Sequence, residues 1–147
     1  MVQMVVLALV LLLTACTPLK VPQPLEAEIT AVLPLQSLDE GQHSPVIASL
    51  LAQAEQHRLH QRWQMAAALL DQARQIEPRN SEIFYRQAWL ELQRNNASQA
   101  ESLLRRGLVF CAPQSEQERR LQSLLADSLD QQGRSLEASA LRYRFNL

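Results

Sequence analysis

The residues best suited to chemistry in this 147-residue sequence are its histidines, its two cysteines and the acids near them. His57 and His60 are three positions apart, so on a helix they would lie on one face and could share a metal ion with the nearby Glu55. No third ligand has a clear place beside them. We therefore expect solvated or packed histidines, and the sequence predicts no metal site.

Cysteine chemistry and phosphate chemistry have equally little support. The sequence has no glycine-rich phosphate loop and no Cys-x-x-Cys pair. Cys111 follows two apolar residues at the end of a predicted helix, where we expect it to pack as a small apolar side chain. The alternatives for Cys111 are a reactive thiol and an intermolecular disulfide. These patterns predict a protein that is not an enzyme and that uses no cofactor.

Composition and charge restrict the function further. The net charge is −1 at pH 7, which gives no electrostatic argument for binding nucleic acid. With 47% hydrophobic residues, only three glycines and few β-branched residues, the chain is expected to form one helical domain with appendages.

A pattern of apolar and small residues occurs twice between residues 47 and 114, at a spacing of 34. The repeated residues of the first unit are Leu50, Ala54, Ala66 and Leu70, and those of the second unit are Phe84, Ala88, Ala100 and Leu104. The interval between small residues returns a third time as Ala126 and Ala138. A fixed period of this length is typical of stacked helical repeats. The sequence therefore predicts an all-α array of about three helix-turn-helix units, or about six helices.

This arrangement resembles the tetratricopeptide repeat, a 34-residue helix-turn-helix with small residues at repeat positions 8, 20 and 27. Units that begin at Ile47, Ser81 and Arg119 place an alanine at positions 8 and 20 each time. The third unit departs at position 4, where Gln122 replaces the family's aromatic residue. The resemblance implies a right-handed array in a domain spanning 45–147, with repeats at about 47–80, 81–114 and 119–147.

An unbroken apolar run of ten residues from Met4 to Leu13 leads into the tetrapeptide Leu13-Thr14-Ala15-Cys16. Ten residues are too few to span a bilayer, which needs about 20, but they suit the apolar region of a signal peptide. The tetrapeptide resembles a bacterial lipobox, in which Cys16 is lipidated and becomes the first residue of the mature protein. We expect residues 1–15 to be a lipoprotein signal peptide. The alternatives are an uncleaved anchor and a buried N-terminal helix.

Residues 16–44 are expected to form the lipidated cysteine and a proline-rich linker, because Pro18, Pro22, Pro24 and Pro34 interrupt helices. At about 3.1 Å per residue, an extended linker would reach roughly 85–90 Å. Thr17 resembles the sorting preference for the outer membrane, which would place the domain in the periplasm. Retention at the inner membrane and docking of the linker on the domain both stay open.

In the family that the repeats resemble, fixed positions on the first helix of each unit line a concave groove that binds protein ligands. The resemblance implies that the groove residues are Leu51, Glu55, Arg58, Glu82, Tyr85, Trp89, Leu92, Arg120, Ser123, Asp127 and Asp130. Exposed aromatic residues flanked by charge are typical of interface hot spots. We expect Tyr85 and Trp89 to project outside the core, with Arg58 and Glu82 at the rim. Linker residues docked over the aromatics are the alternative.

Lipobox, linker and short repeat array together resemble the small tetratricopeptide lipoproteins of gammaproteobacteria, some of which activate a bifunctional penicillin-binding protein. The resemblance implies a non-catalytic interaction module with a lipid anchor at the outer membrane and such a synthase as partner. The alternatives are a pilotin-like assembly factor for a secretin or pilus component and a general envelope scaffold. The sequence leaves the oligomeric state open.

Overall fold

The computed structural model describes residues 43–147, which contain six helices and no strand. We number them in chain order as α1 Pro45–Leu59, α2 Trp63–Ile76, α3 Ser81–Gln93, α4 Ala97–Leu108, α5 Glu116–Gln131 and α6 Ser135–Phe145. The predicted all-α fold is therefore confirmed. The predicted signal peptide, Cys16 and the linker up to residue 42 lie outside the described residues.

Polar side chains and turn residues set the helix boundaries. Ser44, Asn80 and Ser115 cap the first helix of each repeat by accepting a backbone N–H two or three residues later. The turns within the repeats include a residue with a left-handed backbone, for example Asn95 with φ of 60° and Gly133 with φ of 75°. Short polar residues and glycine tolerate this conformation best, so these turns are specified locally.

The helices pack in sequential pairs, α1 on α2, α3 on α4 and α5 on α6, and each pair contacts the next. All six alanines that recur at the repeat spacing are buried. Their small side chains let the paired helices approach closely, as the repeat pattern predicted. Gly107 has the same role on α4: an added Cβ would lie 2.8 Å from Phe84 Cβ and 2.8 Å from Leu121 Cδ2.

Two apolar clusters form the core. The first lies among α1, α2 and α3 and the second among α3, α4, α5 and α6, and Trp89 packs against both. Leu50, which belongs to the repeated pattern, is only half-buried at the edge of the first cluster, as are Leu108 and Leu141 at the edge of the second. Several buried residues are not part of that pattern, namely Ile47, Ile83, Leu90 and Leu121. The repeat period describes packing within a unit, whereas the stacking of one unit on the next decides which remaining residues are covered.

Glu101 on α4 ties the second repeat to the turn between α5 and α6. Its carboxylate accepts from Gln132 Nε2 at 2.9 Å, from Arg134 Nη1 at 2.7 Å and from Arg105 Nε at 2.8 Å. Burial acts to raise the pKa of Glu101, but the hydrogen bonds from Gln132 and Arg105 and the two arginine charges outweigh it, so the pKa is lowered. The carboxylate of Glu101 is therefore stabilised in its charged form.

Candidate protein-binding groove

Side chains from the first helices of all three repeats converge around Tyr85, which is half-buried on α3. Burial raises the pKa of the Tyr85 phenol, the positive charges of Arg120, Arg86 and Arg58 oppose that rise, and the negative charge of Asp127 adds to it. These charges belong to α1, α3 and α5, so the three helices share one surface. We call this surface, formed by Tyr85 and the charged side chains around it, the groove.

Trp89 lies one helical turn after Tyr85 and is held on two sides. The guanidinium carbon of Arg58 is 4.7 Å from the centroid of the Trp89 ring, and the Trp63 ring centroid is 6.1 Å away at an angle of 53°. Both Trp89 and Tyr85 are half-buried and pack against the apolar clusters. They are therefore not outside the core as predicted, because each ring also closes the contact between helices.

Arg58 and Glu82 were predicted at the rim of the groove, and that placement is wrong. Their relative exposures are 2% and 0%. Arg58 donates to both carboxylate oxygens of Glu55 at 2.7 Å. Glu82 accepts from Arg86 Nε at 2.8 Å, and His43 Nε2 lies 2.8 Å from its other oxygen. Buried charges persist only when they are paired, and these partners provide the pairing.

Leu51 and Leu92 were also predicted in the groove, but both are buried, each with 5% relative exposure. Leu51 belongs to the first apolar cluster and Leu92 to the second. Their positions match those of groove residues in longer arrays, yet here neighbouring helices cover them. Neither side chain is available to a partner in this conformation.

The accessible part of the groove lies on α5. Arg120 is partly exposed and pairs with Glu116 at 3.2 Å, while Asp127 and Asp130 are exposed. Arg142 on α6 donates to Asp130 at 2.7 Å and to Asp127 at 2.9 Å. These two hydrogen bonds raise the pKa of Arg142, and the bond to Asp130 has the larger effect. This part of the groove therefore presents paired charges of both signs, and those of Arg120 and Asp127 act on Tyr85.

Three residues that pair with predicted groove residues were not themselves predicted from the sequence. Arg86 stands four residues after Glu82, so the helical ion pair that they form could have been found from spacing alone. His43 and Arg142 carry no such local signal, since their partners lie on other parts of the chain. Only the folded arrangement brings them to this surface.

The remaining candidates for chemistry lie apart from the groove residues. His60 Nδ1 donates to the carbonyl of Gln56 at 2.7 Å, and His57 is half-buried. Cys111 is half-buried, and its Sγ lies 3.6 Å from the Gly107 carbonyl oxygen. Across residues 43–147, histidine, cysteine, aspartate and glutamate side chains do not gather into a group that could hold a metal. None of α1 to α6 is long and apolar enough to cross a membrane.

Comparison with known proteins places the fold in a family. A model of the tetratricopeptide repeat matches residues 57–110. The structure of the globular C-terminal domain of P. aeruginosa LpoP superposes with a TM-score of 0.68 at 30% sequence identity, covering 72% of this chain and 100% of that domain. No curated protein matches significantly. The chain therefore belongs to the tetratricopeptide-repeat family that includes the C-terminal domain of LpoP, and its described residues form a protein–protein interaction module.

Proposed function

We propose that this chain is a non-catalytic module, anchored to the outer membrane through lipidated Cys16 and facing the periplasm, that binds and activates a bifunctional penicillin-binding protein. In this proposal, residues 1–15 are the signal peptide, 16–44 the linker and 45–147 the binding domain. The resemblance of the lipobox, linker and repeats to lipoproteins that activate such synthases supports the choice of partner. The extended reach of the linker supports contact through the cell wall.

The observation that carries the proposal is the set of paired charged side chains around Tyr85. The charges of Arg120 and Asp127 act on the Tyr85 phenol, and Arg142 donates to the carboxylates of Asp127 and Asp130. A surface whose charges are already ordered loses little conformational entropy when a partner binds. Rigid aromatic rings add contact area at low entropic cost. This surface therefore suits a protein ligand better than a small substrate.

Activation by a protein without catalytic groups has a thermodynamic requirement. The module must bind the active conformation of the synthase more tightly than the inactive one. Each tenfold difference in affinity favours the active conformation by about 1.4 kcal/mol. Mutations in the groove should therefore reduce binding and stimulation together.

A single bulky substitution on α5 tests this proposal without touching the core. Ser123 is exposed on the same helix face as Arg120 and Asp127, so Ser123→Arg should obstruct the groove. Ser102→Arg on α4 is the matched control, since Ser102 is exposed and lies on the second helix of its repeat. A combined Tyr85 and Trp89 truncation is less informative, because both rings pack against the apolar clusters.

The assay measures glycan-chain polymerisation by a purified bifunctional synthase from the same organism, with and without the isolated domain. Wild type and Ser102→Arg should stimulate the enzyme, and Ser123→Arg should not, while all three melt at similar temperatures. If the wild-type domain neither binds nor stimulates the synthase, the activator proposal is wrong, and the pilotin and scaffold alternatives remain. Equal stimulation by Ser123→Arg would instead remove the groove from the interface.

A further inference from the structure

A chain of buried polar and charged side chains begins at His43. His43 Nε2 lies 2.8 Å from Glu82 Oε2, and Arg86 Nε donates to Glu82 Oε1 at 2.8 Å. Arg86 Nη1 in turn lies 3.4 Å from Glu55 Oε2. His43 is thus connected through α3 to α1.

The same chain continues into the groove. Glu55 accepts from Nε and Nη2 of Arg58, each at 2.7 Å, and the guanidinium carbon of Arg58 lies over the Trp89 ring, 4.7 Å from its centroid. We call Glu82, Arg86, Glu55 and Arg58 the ion-pair relay. The relay joins His43 to Trp89 over about two turns of α3, or roughly 10 Å.

Burial makes the members of the relay depend on one another. The side chains of His43 and of the four relay residues keep between 0% and 15% of their surface exposed. At low local dielectric, a charge that loses one partner cannot be compensated by water and must rearrange toward another. A change at one end of the relay is therefore expected to move the groups at the other end.

The hydrogen bonds of His43 define its part in this arrangement. The Glu82 carboxylate can only accept, so the Nε2 atom of His43 must carry a proton. The other ring nitrogen, Nδ1, lies 3.2 Å from Asn80 Nδ2 and can accept from it. Asn80 also caps α3 by accepting the backbone N–H of Glu82 at 3.0 Å. His43 is therefore held by the start of α3 and orients the first carboxylate of the relay.

We propose that His43 is a positioning residue for the groove, which fixes Arg58 and Trp89 through the ion-pair relay. Withdrawal of His43 removes a donor from Glu82, draws Arg86 away from Glu55 and loosens Arg58 over Trp89. This inference rests on the proposed function only for its consequence, which is weaker partner binding.

The fluorescence of Trp89 tests the relay without any partner. The chain contains two tryptophans, so a Trp63→Phe background leaves Trp89 as the only source of tryptophan fluorescence. In that background, His43→Ala should shift the Trp89 emission to the red and raise its acrylamide quenching constant. His43→Gln retains an N–H donor for Glu82 and should give a smaller shift in the same direction. The control is His60→Ala, because His60 is exposed and directly follows the C-terminal end of α1. This substitution should change neither the emission nor the quenching of Trp89.

A double-mutant cycle separates the relay from a merely structural contribution of His43. Glu55→Gln interrupts the relay midway, so its effect on Trp89 quenching and that of His43→Gln should not add. Additive effects would overturn the proposal. So would a His43→Ala variant that unfolds more easily but leaves native Trp89 emission and quenching unchanged. If His43→Ala does not fold, the double-mutant cycle of His43→Gln with Glu55→Gln still decides whether the relay exists.

Partner binding provides the second readout. Loss of an ordered cation over an aromatic ring should weaken synthase binding by roughly two- to fivefold in His43→Ala. If the wild-type domain does not bind the synthase, the proposed function fails, and the fluorescence cycle still decides whether the relay exists. If the synthase binds both proteins equally while the fluorescence changes, the relay does not position the binding surface and the proposal is wrong.

Discussion

Replacing Gly107 with alanine tests the close approach of α3 and α4 directly. Glycine normally lowers helix stability, and alanine in its place stabilises an unconstrained helix by about 1 kcal/mol. At Gly107, however, the new Cβ would lie 2.8 Å from Phe84 Cβ and 2.8 Å from Leu121 Cδ2. Leu121 can rotate a terminal methyl, but Phe84 Cβ is fixed to the backbone of α3. The two helices must therefore move apart.

The balance of these two effects sets the expected magnitude. Overpacking a dense core costs about 1–3 kcal/mol, which exceeds the gain of about 1 kcal/mol in helix propensity. We expect a net loss of about 1–2 kcal/mol, because Phe84 and Leu121 are both buried and have little room to adjust. With a denaturant slope of about 2 kcal/mol per molar, the middle of the usual range, the urea midpoint should fall by roughly 0.5–1 M.

The measurement is urea unfolding of the domain followed by helical circular dichroism. Ser102→Ala provides the control, since Ser102 is exposed on the same helix and alanine there should leave the midpoint unchanged or slightly higher. If Gly107→Ala unfolds at the wild-type midpoint or above it, the helices separate without cost. The close-contact argument for the small residues of this array would then be refuted.

Two further predictions concern acid stability and anchoring. Because the pKa of Glu101 is lowered in the folded state, its contribution to stability is present above the ordinary glutamate pKa and is lost as the pH falls through the folded value. Glu101→Gln should therefore lower the free energy of unfolding at neutral pH and make it fall less steeply as the solution is acidified. Urea midpoints measured from neutral to acid pH would show both effects. If the midpoint of the variant falls as steeply with decreasing pH as that of the wild type, the prediction is wrong. Cys16→Ser should release the protein from the membrane fraction or leave it unprocessed, and unchanged fatty-acid incorporation in a labelling experiment would exclude lipidation at Cys16.

Local features of the sequence were sufficient to predict the helices. About six helices were expected, and the described residues form six, the first of which begins at Pro45, the predicted start of the domain. Capping residues such as Ser44 and Asn80 act on backbone groups within three residues of themselves, so their effect can be predicted without knowing the fold.

The recurrence of alanines also determined the pairing of helices, because a close crossing needs small side chains at a fixed spacing. Ala54 and Ala66 in the first unit and Ala88 and Ala100 in the second are buried at those crossings. This information is periodic and contained within each unit. It therefore predicts a repeat array, whatever partner the array binds.

Only the tertiary structure decided which groove positions a partner can reach. Leu51, Leu92 and Glu82 satisfy the family pattern for groove residues, yet the stacking of neighbouring units covers all three. Burial of a charged side chain depends on whether distant groups can satisfy it, as His43 does by hydrogen bonding to Glu82 across 39 positions of sequence. A repeat period describes neighbours at short separation, and it contains no information about such long-range pairing. The chain's helices and repeats are thus properties of local sequence, whereas the surface that it presents to a partner is a property of how the repeats stack.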